Sequence, residues 1–406
     1  MKHWILVPVI ALVVSGCGSE DNSSTTATLQ LPEQSLSDSA AEPLPVSRDA
    51  VSYAQLWDGI SPVTQTVQQQ VSDEYWTEVS GAELNRGVAL PLSQGGSLIR
   101  VAPRWNLDTG TPIKGESVVP SSIELRPVGD KQAQPNLVES MADADALATA
   151  GIDDGSSALV LSASLKPGAY RLKVNQSLMA DAKYLVHVKE KHSPWTLSLA
   201  SPARVAAEQT SLPVELTLSG SDDAEIVERT ASLRLSTGEN IELAFSGSEG
   251  QPTLAVSGQT LPLPGVAPDE LVVTSLRRVD GQEVKRTVKT AVKRVSRTLS
   301  LAPQITSHWG RHTLESLELK VQASAQGRYQ ITLWLEGTDS SGNWAPAYQL
   351  QAARWLEPGQ HAWQLPLVPD LLAKQGLTPP YRLATLTLTD QSRMAPLLEV
   401  SPQLVL

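Results

Sequence analysis

Apolar and polar residues alternate with a period of two along much of the chain. Ala169-Tyr170-Arg171-Leu172-Lys173-Val174 and Tyr184-Leu185-Val186-His187-Val188 read as half-buried strands. Turn residues such as Lys166-Pro167-Gly168 separate such runs. Shorter strand-like stretches precede them: Gly87-Val88-Ala89-Leu90-Pro91-Leu92, Ser97-Leu98-Ile99-Arg100-Val101 and Ala158-Leu159-Val160-Leu161. Helical spacing is rare. Val63, Val67 and Val71 recur every four residues and predict a short helix, and residues 143–150 predict another. The expected class is therefore all-β, in tandem immunoglobulin-like β-sandwich domains, with minor short helices in the first domain.

An internal echo sets the domain boundaries. Thr196-Leu197-Ser198-Leu199-Ala200 returns as Thr298-Leu299-Ser300-Leu301-Ala302, 102 residues later, and a proline follows each copy (Pro202, Pro303). Leu212-Pro213-Val214-Glu215-Leu216-Thr217-Leu218 is echoed by Leu314-Glu315-Ser316-Leu317-Glu318-Leu319-Lys320-Val321 at nearly the same offset. About 100 residues rich in short strands is the size of an immunoglobulin-like sandwich. Residues 193–297 and 298–406 are thus read as two such domains, and residues 51–192 as a β-rich, sandwich-like domain with short helices. The cysteine pair of antibody domains is absent, so only the architecture is implied. Asp280-Gly281, flanked by alternating residues, predicts a hairpin. On its second strand Lys285, Lys289 and Lys293 share a face. That stripe could meet an acidic surface, but a solvated or edge-protecting face explains it more simply.

The start of the chain follows a different pattern. Lys2, an apolar run from Trp4 to Val14 and the exit Ser15-Gly16 read as a secretory signal over residues 1–16. The run is too short for a membrane-spanning helix, which needs about 20 apolar residues. The next residue, Cys17, is the single cysteine of the chain. Leu12-Val13-Val14-Ser15-Gly16-Cys17 resembles the lipobox of bacterial lipoproteins, which implies lipidation at Cys17 and a membrane partner held through an N-terminal lipid. Stable anchoring takes about two acyl chains, each methylene contributing about 0.8 kcal/mol. Gly18, where an aspartate would signal inner-membrane retention, favours the outer membrane of the bacterial envelope by the same resemblance. Residues 17–50 are acidic and rich in Ser, Thr, Ala and Pro, and are read as a disordered tether.

Composition narrows the function classes. A net charge of −11 disfavours a nucleic-acid binder. With one cysteine there is no disulfide, so stability rests on apolar cores. Leu107-Asp108-Thr109-Gly110-Thr111 looks like an aspartic-protease triplet, but that chemistry needs two carboxylates sharing a proton, and no second triplet exists. A turn explains it better. His308 and His312 are four apart but flank Gly310 between expected strands, so no metal site is assigned. No serine elbow, phosphate loop or dinucleotide fingerprint occurs, and no cofactor is expected. The candidate binding surface is Trp334, Trp355 and Trp363 in the third domain, where exposed indoles could stack on sugar rings or anchor a protein. The competing reading packs them beneath loops.

Three stretches carry a family resemblance: Glu74-Tyr75-Trp76-Thr77-Glu78-Val79-Ser80-Gly81-Ala82-Glu83-Leu84, Ala353-Arg354-Trp355-Leu356-Glu357-Pro358-Gly359, and Pro380-Tyr381-Arg382-Leu383 through Asp390-Gln391-Ser392-Arg393-Met394. They resemble a bacterial secreted family with immunoglobulin-like domains, domain of unknown function 4785. The resemblance implies an envelope location and sandwich domains, and carries no catalytic residues. Two functions stay open. One is a non-catalytic, lipid-anchored binding or scaffolding protein for a protein or glycan ligand. The other is an envelope hydrolase of peptides or glycans with its site in the first domain.

Overall fold

Burial alternates residue by residue along Lys183–Lys189 and Leu197–Pro202, as a sheet with one face on a core requires. The computed structural model describes residues 23–59, 67–108, 110–129, 137–220, 224–257, 260–311, 313–368, 371 and 374–406. Strands make up 58% of the chain and helices 5%, so the fold is all-β with a few short helices. The signal segment and Cys17 lie outside the described residues. The chain forms two compact units. Of the described residues, a middle unit comprises 39–41 and 67–296, and a C-terminal unit comprises 23–38, 42–59 and 297–406.

The middle unit holds two sandwiches. In the first, Glu74–Ser80, Lys183–Lys189, Leu98–Asn106, Ser157–Leu161 and Val138–Ala142 lie side by side, and Val88–Leu92, Gly168–Val174 and Ile123–Pro127 form the facing sheet. Tyr75, Leu90, Ile99, Leu161, Leu172 and Val186 fill the space between them. The helix at Ala144–Thr149 starts at its N-cap Asp143, as expected. A second helix, Gly81–Arg86, is closed by a capping box in which Ser80 and Glu83 exchange hydrogen bonds. These bonds, first to the Ser80 backbone and then to its side chain, hold the Glu83 carboxyl below its ordinary pKa.

In the second sandwich the expected hairpin forms at Asp280 (φ 50°) and Gly281 (φ 78°), the left-handed pair that a two-residue turn demands. The helix expected from Val63, Val67 and Val71 does not form. Residues 60–66 lie outside the described set, and Val67–Ser72 is a strand paired antiparallel with Leu197–Pro202. A spacing of four is also a multiple of two, so the valines fit a strand equally. A helix this short is marginal alone, whereas the open edge of Leu197–Pro202 satisfies the backbone.

The C-terminal unit corrects the reading of residues 17–50 as a disordered tether, and the start of the first domain at 51. Ser23–Thr28 pairs with Leu299–Trp309, Ser23 opposite Trp309. Val51–Leu56 pairs with Trp344–Leu356. Each sheet of the C-terminal sandwich thus gains an edge strand from this N-terminal arm. Leu29 is buried at 2% exposure, and the Arg328 guanidinium donates to the carbonyls of Ser47 and Asp49. The arm's first strand, Ser-Ser-Thr-Thr-Ala-Thr, hides almost no side chain. It is held by its backbone ladder.

The echo extends further than the sequence indicated. Leu197–Pro202 is flanked by Glu215–Leu218 on one edge and by the preceding Val67–Ser72 on the other. Leu299–Trp309 is flanked by Leu314–Ala323 and by the preceding Ser23–Thr28. In both domains a strand supplied from earlier in the chain caps the opening strand.

Candidate functional site

The structure does not assemble the expected tryptophan surface. Trp334, at 4% exposure, is covered by Trp57 of the arm and packs with Ala384. Trp363, at 3% exposure, turns inward, with the Arg354 guanidinium 4.6 Å from its ring centre. Trp355 is half-buried. The Arg48 guanidinium lies 4.3 Å from its ring centre, and its Nε1 donates to Glu357 at 2.8 Å. Arg48 belongs to the stretch read as a tether and Trp57 to the start of the stretch read as the first domain, so their covering role had no signal in the apolar pattern.

The other sequence candidates resolve into local contacts. Asp108 sits in a turn and accepts from Lys183 at 2.6 Å, while Thr109 is outside the described residues. His308 lies on the Leu299–Trp309 strand rather than a helix, 3.9 Å from Glu318, and His312 is outside the described residues. Among the described residues no group of three or more His, Cys, Asp or Glu is placed to hold a metal ion. The basic stripe is largely consumed within the middle unit. Lys285 lies 5.5 Å from the Tyr75 ring centre, and burial lowers its pKa. Lys293 donates to the Gly265 and Val266 carbonyls.

Lys289 leads to the site that does form. The pairing of Glu74–Ser80 with Lys183–Lys189 sets Lys189 opposite Glu74, Val188 opposite Tyr75 and His187 opposite Trp76. Alternation sends Tyr75 and Val188 into the core and places Glu74, Trp76, His187 and Lys189 together on the outer face. Across from them run Thr287, Val288 and Lys289 of the second sandwich, with Gln70 and Val71 at the side. They enclose a polar cleft of about 170 Å³. Small-molecule sites usually occupy about 300–1,000 Å³, so this one admits a single ring-sized polar group.

Charges in the cleft are mutually paired. Lys189 Nζ stands 3.0 Å from Glu74 and 3.3 Å from Asp73, and the Glu74 hydrogen bond is the largest cause of its raised pKa. Lys289 Nζ is 2.9 Å from Glu270 and 6.0 Å from the Trp76 ring centre. One ammonium thus bridges Asp73 and Glu74 and occupies both carboxylates. His187 packs against Trp76 with ring centres 6.4 Å apart, its Nε2 3.2 Å from Glu74. Burial lowers the His187 pKa, against the opposing pull of Glu74; Arg100 and Lys189 lower it further.

That shift has a measurable sign. Above the ordinary histidine pKa of about 6.5 the ring is neutral folded or unfolded. Below it the unfolded chain binds the proton first, so His187 makes stability fall as pH drops through the window beneath 6.5. Urea midpoints at pH 7.5 and 5.5 should differ less in His187→Gln than in the parent; an unchanged difference would remove His187 from the pH response.

Residues 43–190 match the family model described as the N-terminal domain of domain of unknown function DUF4785, and residues 302–406 match its C-terminal domain. The crystal structure of a DUF4785 family protein from Legionella pneumophila is similar at 19% identity. Its TM-score is 0.69, with 92% of this chain and 98% of that chain covered. The adhesin domain of Epf from Streptococcus pyogenes is matched at 12% identity and a TM-score of 0.16, covering 66% of this chain and 99% of that chain. No curated protein matches.

Proposed function

Starting from a chain that belongs to the family of domain of unknown function 4785, we propose a lipid-anchored, non-catalytic binding protein of the bacterial envelope. In this reading Cys17 carries the lipid, the outer membrane is its site, and the Trp76 cleft takes one saccharide ring of an envelope glycan. The cleft carries the proposal. An indole wall stands beside Lys189, Lys289, Gln70 and Thr287, which offer donors and acceptors around a ring-sized volume. The shared Lys189 partner of Asp73 and Glu74 weighs against the hydrolase reading.

The test is calorimetric titration of the full chain with soluble oligosaccharides released from envelope glycan. Removing a stacked indole costs on the order of 1–2 kcal/mol, so Trp76→Ala should weaken binding roughly tenfold or more with an unchanged thermal midpoint. Parent and variant binding alike, or neither binding any fraction, would sink the proposal.

A further inference from the structure

The arm changes what the lipid would hold. Cys17 precedes Ser23 by six residues, and Ser23 is paired to Trp309. Six residues span at most about 20 Å when fully extended. A lipid on Cys17 therefore keeps the Trp309 end of the C-terminal sandwich within about 20 Å of the headgroups.

That end has the chemistry of a membrane interface. Trp309 stacks on Tyr381 with ring centres 5.9 Å apart and planes 17° apart. The next residue, Arg382, lies with its guanidinium 4.6 Å from the Trp344 ring centre and is paired with Glu336. Arg382 also faces Val405 across the ladder, and the Leu406 amide donates to the Tyr381 carbonyl. Val368 follows the strand that ends at Pro366, beside Ser316. Trp344, Val368 and Val405 are exposed at 36%, 40% and 52%. At the opposite end of the Thr378–Asp390 strand Met394 and Val51 are exposed, and the half-buried Trp355 is covered by Arg48. Tyr381 is buried and backs the Trp309 indole; indole and arginine groups beside exposed aliphatics suit the boundary where acyl chain meets headgroup.

Resting on the lipid-anchor reading above, we infer that this pole of the C-terminal sandwich, presenting Trp309, Trp344, Arg382, Val368 and Val405, docks on the bilayer that holds the lipid. The anchor brings the pole to the surface, and the aromatic pole fixes its orientation there.

The experiment uses the full lipidated chain in vesicles of phosphatidylethanolamine and phosphatidylglycerol. A cysteine introduced by Val405→Cys, or by Met394→Cys as control, is labelled with bimane. Acylated Cys17 leaves no competing thiol. Nitroxide carried at headgroup level should reduce the emission at position 405 about twofold and leave that at 394 unchanged, since the strand from Arg382, opposite Val405, to Asp390, beside the turn that carries Met394, spans about 27 Å. Equal quenching at both positions, or none at 405, on protein whose mass shows acylation would overturn the docked pole and leave the anchor standing. A mass without acyl chains would remove both.

Discussion

Replacing Arg286 by alanine is expected to destabilise the middle unit by about 3–5 kcal/mol, the loss typical when one partner of a buried ion pair is removed. Arg286 is 1% exposed and its partner Glu190 is fully buried, with 2.7 Å between them. The guanidinium also donates to the hydroxyls of Ser93 at 3.1 Å and Ser193 at 2.8 Å, and to the carbonyls of Trp195 at 2.9 Å and Lys285 at 2.6 Å. Glu190 accepts from the Ser93 amide at 2.6 Å. Ser93 and Glu190 belong to the first sandwich and Arg286 to the second, so this group fixes their junction. Tyr75 lies beside it, its pKa raised well above the ordinary value by burial and then by Glu190.

Alanine would leave a buried carboxylate without its cation. The pair Glu190→Gln with Arg286→Met should be far milder, because the amide oxygen still accepts from Ser93 and no charge remains. Urea unfolding checks both. A single variant no worse than the double would show that the ion pair does not hold the junction.

Trp57→Ala should cost the C-terminal unit about 3–5 kcal/mol, the range for truncating a buried aromatic residue. Trp57 is 8% exposed, packs on Trp334, and donates its amide to the Ala347 carbonyl at 3.3 Å. Its loss should also admit acrylamide to Trp334 and make the arm a site of early proteolysis. A urea midpoint and cleavage pattern identical to the parent would contradict the role given to the arm.

Much of the sandwich architecture was legible because it is written in side chains. Tyr184, Val186 and Val188 point inward at every second position. The Asp280-Gly281 turn needs two left-handed residues and has them. The echo between Leu197–Pro202 and Leu299–Trp309 reports two opening strands with the same partners. The Gly81–Arg86 helix carried a readable sign, Ser80 three residues before Glu83, that the strand-dominated pattern obscured.

The arm was not legible for a physical reason. Ser23–Thr28 contributes amides and carbonyls, which every sequence has, and its exposed serines and threonines resemble a solvated linker. The tryptophan surface failed with it, since Trp334 is buried only once Trp57 is placed. The Trp76 cleft escaped notice because its walls come from Glu74–Ser80 and Gln282–Val295, segments about 200 residues apart in the chain.

The ladder between Thr26 and Thr306 joins residues 280 apart. Closing so long a loop costs entropy that grows only logarithmically with length, about 0.6 kcal/mol per doubling, but it is slow. The chain emerges from its N-terminus, so the arm is made first and its sheet last. Through synthesis the edges of Leu299–Trp309 and Trp344–Leu356 wait for strands that left the ribosome long before. Until the arm pairs with them, both edges present unpaired amides and carbonyls on which another strand could add.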